Sequence, residues 1–172
     1  APEPATPPSG WGLPFIATQR GVHASAGGWS PTPGSVDLDL VRRNKVEIAF
    51  IVAYEAGQAQ LAVDRFRSAG VKHFVIRAAT HAAITHDASD FARHTVPVLK
   101  EYAVALGGSE NMLIAVHNEP NAVGEGFGSA WETGHEFGGW FAQVAAIYRA
   151  ELSGCKLGFP ALSPGGGVPA VR

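Results

Sequence analysis

The residues best suited to chemistry lie in the stretch LIAVHNEPNAVGEG, residues 113 to 126. An apolar run ends there in His117, Asn118 and Glu119. Pro120 then stops the strand, because proline lacks the backbone N–H that a sheet interior needs. A plain turn would explain this pattern, but a carboxyl group at the end of a buried strand is also what a general acid catalyst needs. What the rest of the chain places beside Glu119 decides between the two.

Polar or charged side chains follow the other predicted strands as well. The candidates are His23 and Trp29 after the first strand, Tyr54 and Glu55 after the second, Arg77, Thr80 and His81 after the third, and Ser163 after the fifth. Functional groups of parallel βα folds gather at the carboxyl ends of the strands. We therefore expect Asn118, Arg77 and His23 to line a cleft around Glu119, together with His117, Glu55 and Trp29.

Each candidate also has a structural interpretation. His23 would serve as a hydrogen-bonded packing residue, and Arg77 as an ion-pair partner of Glu55 or Glu119. Glu55 would begin the next helix, where a carboxylate suits the helix dipole. Trp29 would be an ordinary packed or exposed ring and not a platform for a sugar.

The elements that would position these side chains alternate regularly. Apolar and β-branched runs predict strands over residues 20–25, 46–54, 72–78, 111–117 and 156–162. Helical patterns between and after them predict helices over 36–45, 57–70, 88–108 and 129–153. This order favours an α/β fold with a parallel sheet and crossover helices. Val104 is among the residues expected to face inward, and Trp131 and Trp140 are expected in the core on the last helix.

The bulk composition excludes several classes of function. The 172 residues are 46% hydrophobic and 16% charged with a net charge of -2, so a core is feasible and a nucleic-acid partner is not expected. No stretch approaches the roughly 18 apolar residues of a membrane span. The single cysteine, Cys155, excludes an internal disulfide. No GxGxxG motif follows the first strand and no GxxxxGK(S/T) motif occurs, so no motif supports a nucleotide-binding fold.

Metal-dependent hydrolysis is another possible activity, because the chain has seven histidines. Barrel metal hydrolases commonly carry His-x-His on the first strand, but the stretch GVHAS has one histidine. His117 and Glu119 form an HxE pair, yet no PCxxC follows, which excludes a zinc deaminase. We therefore predict no metal and no other cofactor.

The chain divides into two predicted regions. Residues 1–18 form a Pro-rich tail, with four prolines in the first ten residues, and such a segment leans to polyproline II. We interpret it as a linker or a processed N-terminal tail. Residues 19–172 form the domain that contains the alternating strands and helices.

This domain resembles a known family over residues 19–172. It is similar to the clan of (β/α)8-barrel glycoside hydrolases, including cellulase-like sequences. Three stretches carry the similarity: HNEPN after the fourth strand, FVIRA one strand earlier and GFPALSP one strand later. The resemblance implies a TIM barrel that acts on a β-linked polysaccharide without a cofactor. It implies Glu119 as the general acid/base and Asn118 as the ligand of the sugar 2-hydroxyl. The tail and this substrate class together lead us to expect an extracellular or secreted protein.

The resemblance also implies a second carboxylate, at the end of strand seven. A full barrel has eight strands and typically ~250 residues, but the chain reaches Arg172 just past its fifth predicted strand. We therefore expect a partial or truncated barrel. A Glu55/Glu119 pair at the wider spacing of an inverting enzyme is a further alternative.

Three explanations of the short barrel are open. The chain is a fragment of a longer retaining enzyme, or truncated barrels assemble and cover each other's open edges. In the third, catalysis is lost and the protein is a glycan-binding or structural subunit of a virion or cell envelope. An open sheet would leave Ile48 and Phe50 partly uncovered, so we expect a homo-oligomer or larger assembly if the chain is complete.

Overall fold

The computed structural model describes residues 21–24, 36–54, 56–79 and 87–163, without the side chains of residues 22–24 and 36–37. Its strands are β1 (Gly21–Ala24), β2 (Ile48–Ala53), β3 (His73–Ala78), β4 (Met112–Ala115) and β5 (Lys156–Gly158). Its helices are α1 (Val36–Arg43), α2 (Ala59–Ser68), α3 (Ala88–Leu106) and α4 (Gly134–Glu151). Short 3-10 turns cover Ser109–Asn111 and Val123–Glu125.

All five strands are parallel and lie in the order β1-β2-β3-β4-β5. Each crossover thus moves one strand in the same direction, and right-handed crossovers of this kind place their helices on a single face of the sheet. The predicted α/β class with a parallel sheet is confirmed. In the described part of the chain the sheet is open, since β1 and β5 are its two edges, so a closed barrel is not seen.

The two faces of the sheet differ in burial. In β3, Phe74 and Ile76 are buried in the core shared with the helices, whereas Val75 and Arg77, which alternate with them, are half-buried. We call the side that bears Val75 and Arg77 the open face. Strand alternation explains the difference, because successive side chains point to opposite sides.

Local sequence signals define the two long helices. Asp87 caps α3 by accepting hydrogen bonds from the backbone N–H groups of Ser89 and Asp90, and Gly107, with φ of 80°, ends it. Thr133 and Glu136 form a capping box at the start of α4. The buried hydroxyls of Thr95 and Tyr148, 2.6 Å apart, hydrogen-bond across the two helices. Helices α3 and α4 therefore form a firm layer behind β3 and β4.

Each strand and helix lies within its predicted range, although β4 and β5 are shorter than expected. Two packing predictions need correction. Val104 is 79% exposed on α3, so the prediction that it faces inward is wrong. Trp131 is buried as expected, but it lies in the loop before α4 and not on the helix.

Ile48 and Phe50 on β2 are half-buried, which agrees with the expectation that the sheet leaves them partly uncovered. The assembly that this exposure led us to expect stays a prediction, which light scattering would test. Among the described helices, none combines the length and apolar character that crossing a membrane requires.

Candidate functional site

A chain of hydrogen bonds joins the carboxyl ends of β3 and β4. Arg77 donates from Nη1 to the Oδ1 atom of Asn118, and Asn118 donates from Nδ2 to Oε1 of Glu125 at 2.8 Å. The amide of Asn118 thus has its oxygen toward the guanidinium and its nitrogen toward the carboxylate. We call Arg77, Asn118, Glu119 and Glu125 the polar cluster.

Arg77 lies on the open face with its guanidinium carbon 5.6 Å from the centre of the Phe50 ring. Burial lowers the pKa of Arg77, and the nearby charges of Glu125, Tyr54 and Glu119 act in the opposite direction. Its Nε atom is buried and has no hydrogen-bond partner among the described residues. Arginine stays protonated under all ordinary conditions, so the polar cluster contains one fixed positive charge next to two carboxyl groups.

Glu119 is half-buried, and its carboxylate accepts no hydrogen bond from any residue that the structure describes. Its backbone carbonyl accepts the N–H of Ala122 at 2.8 Å, which closes a turn over Pro120. No salt bridge joins Glu119 to Arg77, so an ion pair with Glu119 is not formed, although the two charges still interact. The other partner of that alternative, Glu55, lies outside the described residues. The carboxylate of Glu119 therefore interacts electrostatically with Arg77 and has no hydrogen-bond donor among the described residues.

The loop after Glu119 returns the chain to the same site. A 3-10 turn over Val123–Glu125 is followed by Gly126, whose φ of 121° is accessible mainly to glycine. The indole N–H of Trp131 donates to the carbonyl oxygen of Pro120 at 2.7 Å, which ties the far end of the loop to its beginning. This closure brings Glu125 to Asn118. Our sequence reasoning missed Glu125, and the only sequence signal for it was an acid between two glycines in a polar loop.

His117 lies on the other side of β4, behind the polar cluster. It is 6% exposed, and the rings of Phe91, Trp131, Phe137 and Trp140 surround it with centroids 5.3 to 6.2 Å away. We call these four rings and His117 the aromatic cluster. Its Nδ1 atom is hydrogen-bonded to the carbonyl oxygen of Asn118, so Nδ1 carries the proton in the neutral ring. Because His117 is only 6% exposed, its burial favours a packing role over a place in the cleft.

Burial lowers the pKa of the His117 imidazole. The hydrogen bond to Asn118 and the charge of Glu125 raise it, and the charge of Arg77 lowers it further. Burial is the largest of these effects, so the ring favours its neutral form. A neutral, enclosed imidazole suits a packing role.

The loop after β5 is fastened to the loop after β4. The side chain of Asn121 donates to the carbonyl of Ser163 at 2.9 Å and accepts its N–H at 2.8 Å. An asparagine amide that pairs with the N–H and the C=O of one backbone residue acts like one more backbone pair of a sheet. The predicted meeting of the strand ends therefore extends from β3 to β5 in the described part of the chain.

Several predicted site residues cannot be placed. His23 lies in β1, where its backbone is paired in register with Phe50, but its side chain is outside the described residues. Trp29 and Glu55 lie outside them entirely, as do Thr80 and His81. Their predicted roles stay predictions.

The described residues contain no group of three or more His, Cys, Asp or Glu side chains that could hold a metal ion. Comparison with protein-family models, with curated proteins and with solved structures found no significant match. The chemistry of the polar cluster is therefore the basis on which a function is proposed.

Proposed function

We propose that the chain is a glycoside-hydrolase-like protein in which Glu119 is the general acid/base toward a β-linked polysaccharide. The observation that carries this proposal is the chain of side-chain hydrogen bonds from Arg77 through Asn118 to Glu125, near the carboxyl group of Glu119. It lies at the carboxyl edge of a parallel sheet wound in one direction, where such folds keep their reactive groups. The resemblance of the HNEPN stretch to the barrel glycosidases supports the same assignment.

The groups of the polar cluster suit a neutral sugar. An asparagine amide has two N–H donors and two acceptor positions, and Asn118 uses one of each within the cluster. The remaining donor and acceptor can bind a sugar hydroxyl. With one cation and two carboxyl groups, the cluster would repel a polyanion but not a neutral glycan.

Breaking a glycosidic bond requires a proton on a poor leaving group, which Glu119 would supply. A retaining glycosidase also needs a second carboxylate about 5 to 5.5 Å from the first. Glu125 is already engaged by Asn118, so we assign it no such role. In the catalytic form of the proposal, the described residues belong to a longer retaining enzyme, whose nucleophile comes from a later strand and whose setting is extracellular.

The second candidate is a glycan-binding or structural module on the same scaffold. One observation favours this candidate. Among the described residues, the carboxylate near Glu119 is that of Glu125, and it is already hydrogen-bonded to Asn118. Such a module would use the polar cluster to hold a sugar without cleaving it. It would retain the open face of the sheet and have no need of a proton donor.

Hydrolysis of β-glucans, mannans and peptidoglycan by the longer enzyme that supplies the nucleophile, compared with the same enzyme carrying Glu119→Gln, tests the catalytic form. We expect Glu119→Gln to lose a factor of about 10² to 10⁴ in rate, the usual contribution of general acid catalysis. Glu132→Gln is the matched control, because Glu132 is exposed in the same loop. Unchanged activity in Glu119→Gln would remove the proposed acid.

Direct binding separates the two candidates. Glycan affinity without turnover, lost in Asn118→Ala and kept in Glu132→Gln, would identify the binding module. If neither hydrolysis nor binding is seen with any of these glycans, both candidates fail for this substrate class.

A further inference from the structure

A pocket of about 560 Å³ lies at the amino-terminal end of the sheet, opposite the edge that bears the polar cluster. The first residues of four strands line it, namely Ile48, His73, Met112 and Lys156. Its volume falls within the roughly 300 to 1,000 Å³ of small-molecule sites. The function proposed above makes no use of it.

The floor of this amino-end pocket is apolar. Ile48 is paired in register with His73, and Val75 with Leu113, and all four residues are half-buried. Val75 belongs to the open face, whereas Phe74 and Met112 belong to the buried core on the helix side, so the pocket lies around the strand starts and borders both faces. An apolar floor of this kind favours a ligand that carries a hydrocarbon body.

The rim carries two positive side chains, Arg67 and Lys156, that form no ion pair with a described residue. Arg67 donates to the carbonyls of Ala105 and Leu106 at 3.1 and 3.3 Å, and its guanidinium lies 5.9 Å from the centre of the Phe74 ring. These contacts fix the guanidinium at the pocket. Within the described residues, Arg67 forms no ion pair.

Lys156 also lines the pocket and forms no ion pair with a described residue. Lys72 differs, because Glu47 holds its ammonium at 2.7 Å. Among the described residues that line the pocket, the acidic one is Glu110, and its side chain is exposed. With Arg67 and Lys156 against Glu110, and Lys72 already neutralised, the lining has a net positive charge.

We propose that the amino-end pocket binds an amphipathic monoanion, a carboxylic acid with an apolar tail. The tail lies on Val75 and Leu113, and the carboxylate meets Arg67 or Lys156 at the rim. Removal of the tail from water supplies the affinity, and the cations supply the preference for an anion. This site is independent of any action on sugars at the opposite edge.

Isothermal titration of the 172-residue chain with three probes of equal tail length tests the charge preference. The probes are decanoate, decanol and decyltrimethylammonium. We expect decanoate to bind at least about fivefold more tightly than decanol, which corresponds to about 1 kcal/mol, and the cation to bind weakest. The advantage of decanoate should shrink as salt is added. Equal affinity for decanoate and decanol, or tighter binding of the cation, would overturn the proposal.

Two variants and one control variant locate the site. Val75→Trp fills the pocket and should abolish decanoate binding, whereas Val104→Trp, at a position that is 79% exposed on α3, should leave it unchanged. Lys156→Glu should weaken decanoate by about fivefold or more and leave decanol unaffected, and this variant remains informative if Val75→Trp fails to fold. Decanoate affinity that is unchanged in Lys156→Glu, or that Val104→Trp and Val75→Trp weaken equally, would contradict the assignment.

Discussion

His117 and Asn118 are adjacent in the chain, yet they belong to regions of opposite character. Four aromatic rings enclose the imidazole of His117 on the helix side of β4. The amide of Asn118 instead joins Arg77 to Glu125 in a half-buried polar chain. One peptide unit thus separates the aromatic cluster from the polar cluster.

The difference assigns separate tasks to the two clusters. Buried rings gain free energy by leaving water and by contacts with one another, so the aromatic cluster stabilises the fold. The half-buried groups of the polar cluster keep unused donors and acceptors, so they can bind a ligand. Trp131 connects the two, because its indole N–H holds the carbonyl of Pro120, the residue after Glu119.

The largest expected effect follows from removing the connecting ring. Trp131→Ala should lower the free energy of unfolding by about 3 to 5 kcal/mol, the usual cost of deleting a buried large aromatic side chain. Asn118→Ala should cost only about 1 to 2 kcal/mol, since it removes two partly exposed hydrogen bonds. Urea unfolding of both variants measures the contrast.

Trp131→Phe sharpens this test, because it keeps a ring in the core but loses the indole N–H and part of the ring volume. We expect an intermediate loss of stability. A loss in Asn118→Ala as large as that in Trp131→Ala would show that the two clusters do not divide the tasks as described.

A smaller effect is expected where the loop backbone touches the same ring. A Cβ atom on Gly126 would lie 2.7 Å from the ring of Trp131, and φ there is 121°. Gly128 also has a positive φ, 79°, but a Cβ atom there would have no heavy atom within 4 Å. Gly126→Ala should therefore cost about 1 to 3 kcal/mol more than Gly128→Ala, the usual penalty of overpacking.

Thermal or urea unfolding of the two alanine variants isolates the contact, since both residues share the backbone strain of a positive φ. Equal stability of the two variants would mean that the loop moves away from Trp131 freely. The connection between the clusters would then be looser than the hydrogen bond to Pro120 indicates.

The sequence carries strong signals for the sheet and its helices. In β3 the apolar run HFVIRA alternates between buried and half-buried residues, as a strand covered on one face should. Gly107 ends α3 at the position where a left-handed residue is needed. These signals are local, which is why periodicity and turn chemistry reveal them.

The polar cluster was predicted only in part. Asn118, Glu119 and Arg77 follow from strand ends that meet at one edge of a parallel sheet. Alternation along β4 cannot be extended to His117, because β4 ends at Ala115. The burial of His117 among the aromatic rings therefore does not follow from the strand pattern.

Glu125 was not predicted for a different reason. Its position depends on a loop that Trp131 closes by a bond to Pro120, eleven residues earlier in the chain. No pattern in the loop sequence specifies that closure, which needs the aromatic core to be already in place. Contacts of this kind become visible only in the folded structure.

The smallest expected effect concerns the proton on His117. Because burial lowers the pKa of His117 in the folded protein, the unfolded chain binds a proton below about pH 6.5 that the folded chain does not. Stability should therefore be complete above pH 6.5 and fall as the pH drops toward the folded pKa. One proton limits the slope to about 1.4 kcal/mol per pH unit.

Urea unfolding between neutral and mildly acidic pH measures this slope, and His117→Phe is the control. Carboxyl groups elsewhere also titrate as the pH falls, so the informative quantity is the difference between the two proteins. His117→Phe should lose less stability on acidification, because its ring has no proton to bind in either state. An identical acid slope in both proteins would mean that the imidazole reaches water in the folded state. His117 would then belong with Asn118 and the other ligand-facing groups, and the boundary between the two clusters would lie one residue earlier.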